Sequence, residues 1–152
     1  MFKEIDPSEL VASVRALQTD PTFYADTLAC LTAQDLGPAD GRLVLLYVVR
    51  SVATGQEANF KMIVPRDIGT EVPSLTAVFL AANWPEREVY DMFGIRFTGH
   101  PDMRRLLMPA DWPGHPLRLD AQDPESWHGI AMRRAEPLPP GETPWPESGS
   151  VN

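Results

Sequence analysis

Three carboxylates fall in one short stretch of the 152-residue chain, at Glu86, Glu88 and Asp91. Acid–base chemistry needs two such groups in unlike surroundings, aimed at one point. On a helix Glu86 and Glu88 point in different directions, and no nucleophile stands beside them. Capping and charge pairing are the favoured roles, since Glu86 comes three places after Asn83 and Asp91 four places after Arg87. His100, His115 and His128 are fifteen and thirteen residues apart and form no His-x-x-x-His pair. His100 and His115 each precede a proline, so they read as hydrogen-bonding corners rather than metal ligands. Cys30, beside Leu31 on an expected helix, reads as a small buried hydrophobe. A single cysteine excludes an internal disulfide and any four-cysteine zinc or iron–sulfur site built from this chain alone. Gly94 and Gly99 lack the strand-to-helix setting and the Lys-Ser/Thr ending of a phosphate loop.

The arginines are more informative. Arg104, Arg105 and Arg118 stand among Leu106, Leu107, Met108, Trp112 and Leu117, and alternate with Asp102, Asp111 and Asp120. Guanidinium groups suit partly buried, two-point pairing with carboxylates. Two readings stay open: bridges to Asp91, Asp111 or Asp120 within the chain, or contacts across an interface. A stretch at once apolar, rigid and charge-balanced favours the interface.

These groups must be held by the surrounding elements. Asn83 as cap, Pro85 in the first turn and Glu86 at the capping-box position predict a helix with Val89 and Phe93 on its apolar face. Gly94 ends it as a left-handed residue, and residues 95–97 alternate like a short strand. Prolines and glycines then set rigid corners at His100-Pro101, Met108-Pro109, Trp112-Pro113-Gly114 and His115-Pro116. Such an extended run has too few backbone partners of its own, so its polar groups need the scaffold or another protein.

Upstream, Asp6-Pro7-Ser8-Glu9 is a helix start, with Leu10, Val14 and Leu17 on one face. Asp20-Pro21 breaks it, and Phe23, Tyr24, Leu28 and Leu31 suit a second helix ending near Ala33. Residues 41–52 form an apolar, central strand, and 57–64 its hairpin partner, with Ala58, Phe60, Met62 and Val64 on one face. Ser74 caps a further helix with Leu75, Val78 and Phe79 or Ala82 inward. The fold class is α+β: a single domain, residues 1–120, with N-terminal helices, a small mainly antiparallel sheet under helical cover, and a proline-rich C-terminal extension. Residues 121–152 form a tail. In it Pro137, Pro139, Pro140, Pro144 and Pro146, with Glu142 and Glu147, predict extended chain that orders on partners. Trp127 and Trp145 either pack locally or anchor the tail in a neighbour.

A formal charge of -8 and a pI near 4.8 lack the basic footprint of a nucleic-acid binder. No apolar run approaches the roughly 20 residues of a membrane helix, and no basic, apolar leader is present, which points to a reducing, cytoplasmic setting.

Residues 84–120 resemble the diagnostic segment of the 30 kDa-type (C) subunit of proton-translocating NADH–quinone oxidoreductase, respiratory complex I. The resemblance rests on Glu86-Arg87-Glu88, then Tyr90-Asp91, Phe93-Gly94, His100-Pro101, Arg105 before Leu106-Leu107, and Pro116-Leu117-Arg118 ending in Asp120. It implies a cofactor-free scaffold subunit of the hydrophilic arm, without catalytic residues. It would dock beside the quinone-site subunit and the terminal iron–sulfur cluster subunit, peripheral on the cytoplasmic side of the cell membrane and touching it only through the assembly. Iron–sulfur clusters, FMN and quinone are then expected in partner subunits. Glu86, Arg87, Glu88, Asp91, Gly94, His100, Pro101, Arg104, Arg105, Asp111, Pro116, Arg118 and Asp120 become interface or fold determinants. Leu119 and Val48 depart from the family pattern, which commonly has a basic residue and a histidine there. That raises the related alternative of a scaffold in a membrane-bound [NiFe] hydrogenase or formate hydrogenlyase, with the large hydrogenase-like subunit as neighbour and a nickel–iron centre in place of FMN.

Overall fold

A computed structural model describes residues 1–132. The proline-rich tail and Trp145 lie outside the described residues. The chain divides into two units, Met1–Gln122 and a second beginning at Asp123.

The first unit is α+β. Strand β1 (Lys3–Glu4) leads into helix α1 (Pro7–Thr19), followed by β2 (Thr27–Asp35), β3 (Arg42–Arg50) and β4 (Glu57–Pro65). Next come β5 (Glu71–Pro73), a 3-10 turn (Leu80–Ala82), helix α2 (Asn83–Phe93) and β6 (Arg96–Thr98). The main sheet has the order β1-β4-β3-β2, antiparallel except for the β1–β4 pair, and β5 and β6 form a separate parallel pair. The apolar strand is therefore central, as its composition predicts. Its hairpin partner aligns Tyr47 with Phe60, Leu45 with Met62 and Leu43 with Val64, all buried on one face. Helices α1 and α2 cover that face, bringing Leu10, Val14, Val89, Met92 and Phe93 into the same core. Helix α1 starts as expected: Asp6 accepts from the Ser8 amide at 2.8 Å, and Pro7 occupies the first turn.

The expected second helix over 23–33 is not formed: a turn leads into strand β2, Thr27–Asp35. Leu28 lies opposite Val49 and Cys30 opposite Val48, so Ala29 is a bulge residue. The bulge turns the ordinary two-residue alternation into a spacing of three, and Leu28 and Leu31 both face inward. That spacing imitates a helix. Cys30 is consequently exposed on a strand, not buried on a helix. The helix expected from Ser74 is also reduced, to isolated turns and the 3-10 turn, because Phe79 is extended (φ -126, ψ 112). Leu75, Phe79 and Ala82 still face the core.

The second unit contains a small hairpin, β7 (Ser126–Trp127) and β8 (Ile130–Ala131). His128 and Gly129 both take positive φ at its turn, the conformation that closes tight hairpins. The rings of Trp127 and His128 meet edge to face, 4.2 Å between centroids.

Candidate functional site

Helix α2 is entered directly from the 3-10 turn, and Asn83 is itself helical (φ -50, ψ -54). The predicted Asn83 cap is therefore not formed. Glu86 instead turns inward, fully buried, and accepts from the Leu75 amide and the Ser74 hydroxyl, each at 2.6 Å. None of the ion pairs among the described residues includes it. Burial pushes its carboxyl up to about 7 from an ordinary 4.5, against the opposing pull of Ser74 and Leu75. Burial, and then the nearby Glu86, also push the pKa of the Tyr47 hydroxyl up, so it stays protonated. A carboxyl whose folded pKa is raised holds a proton that the unfolded chain has already lost. Its contribution is complete below pH 4.5 and declines as pH rises to about 7. Glu86→Gln should remove that slope, worth about 3 kcal/mol by linkage, from urea-unfolding free energies measured between pH 4.5 and 8.

Asp91 is the centre of the site. It does not pair with Arg87. Its buried carboxylate accepts from Arg105 Nη1 at 2.7 Å and from three consecutive amides, Leu106 (3.1 Å), Leu107 (2.7 Å) and Met108 (2.8 Å). Burial works to raise its pKa, but the amides and Arg105 together outweigh it and hold Asp91 below the usual range. Arg105 goes on to donate to the carbonyls of Trp112 (3.0 Å) and Gly114 (2.9 Å), fixing the next corner. Arg87 donates to the carbonyls of Arg104 and Arg105, both at 3.1 Å. The extension is thus laced onto α2 by side chains, because a chain without a neighbouring strand has no other donors and acceptors.

A second fastening lies at the sheet rim. Arg66, just after β4, holds Asp35 at the end of β2 by two bonds of 2.8 Å, and also meets Asp120. Asp35 accepts in addition from the amides of Gly37 (2.9 Å) and Leu119 (2.8 Å). Hydrogen bonding from Arg66, opposed by burial, holds its pKa far below the ordinary value. Arg118 donates to the carbonyls of Phe93 (2.7 Å) and Arg66. Burial, and then Arg66, lower its pKa.

The histidines serve as corners. His100 Nδ1 accepts from the Asp102 amide at 3.0 Å, which leaves Nε2 to donate to the Asn83 carbonyl at 3.1 Å. His115 Nδ1 donates to the Asp91 carbonyl at 2.9 Å, and burial lowers its pKa. Gly94 ends α2 at φ 78, as predicted. A Cβ there would stand 2.6 Å from the His115 ring, so the glycine serves both the turn and the close approach.

Of the other residues singled out by sequence, Arg104 is exposed and bonded to Asp102, while Glu88, Pro101 and Asp111 are at the surface and Pro116 is half-buried. Asp35 and Arg66 carry no such mark in the sequence. Their only signal is position, at two strand ends next to Gly37-Pro38 and Pro65. Among the described residues no group of three His, Cys, Asp or Glu could hold a metal ion, and no helix is long and apolar enough to cross a membrane. The buried carboxylates face amides and guanidinium groups of their own chain. This chemistry fixes a shape.

Comparison with known proteins agrees with the segment's distinctive sequence. Residues 3–127 match the model of the respiratory-chain NADH dehydrogenase 30 kDa subunit family. The NADH-quinone oxidoreductase C subunit of Chlorobium phaeobacteroides is 39% identical over 132 residues, covering 86% of this chain and 78% of that protein. Its counterpart in Chloroherpeton thalassium is 42% identical over 116 residues, covering 76% of this chain and 48% of that protein. The chain therefore spans about half the length of the Chloroherpeton relative. A chain in the solved structure of the membrane-bound sulfane sulfur reductase, an archaeal respiratory membrane complex, superposes with a TM-score of 0.58. That chain is 25% identical, over 71% of this chain and 62% of its own length. The chain belongs to the family of the respiratory-chain NADH dehydrogenase 30 kDa subunit.

Proposed function

We propose that the chain is a non-catalytic scaffold subunit in the hydrophilic arm of a complex I-like NADH–quinone oxidoreductase. It docks beside the subunits that carry the quinone site and the terminal iron–sulfur cluster, on the cytoplasmic side of the membrane. The carrying observation is that the charged constellation around Asp91 is consumed in shaping the extension, its carboxylate held by Arg105 and by the amides of residues 106–108. Iron–sulfur clusters, FMN and quinone belong to the partners. The likeness to the sulfane sulfur reductase chain supports a scaffold role that persists where the partner chemistry differs. A hydrogenase-type assembly is the corresponding second reading.

The test is purification of the tagged chain from membranes of its own cells, alongside the chain expressed alone. The assembly should carry flavin and iron and oxidise NADH, and the isolated chain should do neither. Stoichiometric iron, nickel or flavin bound to the isolated chain would overturn the scaffold reading. An assembly holding nickel and no flavin would replace the respiratory version with the hydrogenase one.

A further inference from the structure

One face of α2 is covered along only half its length. By the three-and-four spacing of a helix, positions 84, 87, 88 and 91 of α2 fall on adjoining strips, and Leu80 precedes them on the 3-10 turn that leads into the helix. The extension closes the C-terminal half, where Arg87 bonds to the carbonyls of residues 104 and 105 and Asp91 gathers the amides of residues 106–108. The N-terminal half is left open. Leu80 is 86% exposed and Trp84 67% exposed, one helical turn apart. Leu107, on the covering run, is 61% exposed. Tyr24, Val52 and Ile68 are also exposed, but they lie in loops and turns. Leu80 lies on the 3-10 turn and Trp84 in the first turn of α2, two consecutive elements anchored in the core through Ala82 and Val89.

Glu88 is exposed at the end of this strip. The ion pairs on this side use Arg87 with Asp102 and Arg105 with Asp91, and none of the ion pairs among the described residues includes Glu88. A rigid tryptophan and leucine with an unpaired acid beside them match the composition of a binding hot spot. The geometry points to a docking strip, Leu80–Trp84–Glu88, for one neighbouring protein subunit with an apolar pocket rimmed by lysine or arginine. A second copy of this chain would bring acid against acid, and an anionic lipid surface would repel a chain of net charge -8. The inference rests on the scaffold reading and adds to it which surface makes the contact.

Hydroxyl-radical footprinting with mass spectrometry tests this on the full tagged chain, alone and in the assembly recovered from membranes. The oxidation rate of Trp84 should fall about tenfold in the assembly. Trp84→Ala and Glu88→Lys should leave the isolated chain's melting temperature unchanged and lower the recovered partner subunits by about tenfold. Glu88→Lys should also reverse the salt dependence of recovery. If the wild-type chain recovers its partners while Trp84 oxidises as fast as in isolation, the strip is wrong and the scaffold reading stands. If it recovers none, both fail. Protection of Trp84 by self-association or by anionic vesicles, without a partner subunit, would overturn the strip as well.

Discussion

Asp91→Ala is expected to lower the stability of the isolated chain by about 3–5 kcal/mol, the usual cost of breaking a buried ion pair from one side. The substitution strands the Arg105 guanidinium, whose side chain is only 15% exposed, and removes the single acceptor shared by three successive amides. Urea unfolding should show the loss. Asp91→Asn, which keeps the shape but not the charge, should recover part of it. The same carboxylate sets an acid limit. Its folded pKa is lowered from 3.8, so its contribution is complete above the ordinary aspartate range and is lost as pH falls through the folded value. This is the opposite sign to Glu86, and the two effects are separable by variant. A change below about 1 kcal/mol for Asp91→Ala, no more than an average substitution costs, would mean that the fastening carries no weight.

The second large effect is expected at Asp35. Its alanine variant leaves Arg66 without its buried partner and the Leu119 amide without an acceptor, again worth about 3–5 kcal/mol. Arg66 keeps Asp120, which is half-exposed and a weaker partner. Asp35 and Asp91 hold opposite ends of one extension, so their effects should couple. Once either end is released, the other has less ordered chain to hold, and the double variant should cost less than the sum. Strict additivity in a double-mutant cycle would show that the two ends are fastened independently.

Much of this fold was legible in the residues. The β3–β4 hairpin followed from an apolar run over 41–52 and the alternation of 57–64, and the first helix from Asp6-Pro7. Gly94 was legible because only a residue tolerant of positive φ ends a helix that way. The failures have physical causes. A bulge at Ala29 gave β2 the inward spacing of a helix, and period alone could not distinguish them. The Ser74 stretch had helical spacing, yet its polar groups were drawn elsewhere: the Leu75 amide to Glu86, and the Thr76 amide to the Ser74 hydroxyl. Asn83 and Glu86 matched a capping box in sequence, but the preceding 3-10 turn removed the helix end that a cap would serve. In the site, the helix-spaced Arg87 and Asp91 invited a local pair. A distant arginine and three amides supply Asp91 with four donors, while Arg87, whose side chain is equally buried, is taken up by the carbonyls of residues 104 and 105. Asp35 and Arg66 could not be found from sequence because their relation spans 31 residues and no pattern links them.

The most direct test of whether the extension belongs to this chain's own fold is amide hydrogen exchange in the isolated protein at Leu106, Leu107, Met108 and Leu119. Fastening by Asp91 and Asp35 predicts exchange about a hundredfold or more slower than in unstructured peptide. Exchange at the peptide rate in these four amides, while the β3 amides stay protected, would show that only a partner orders the extension.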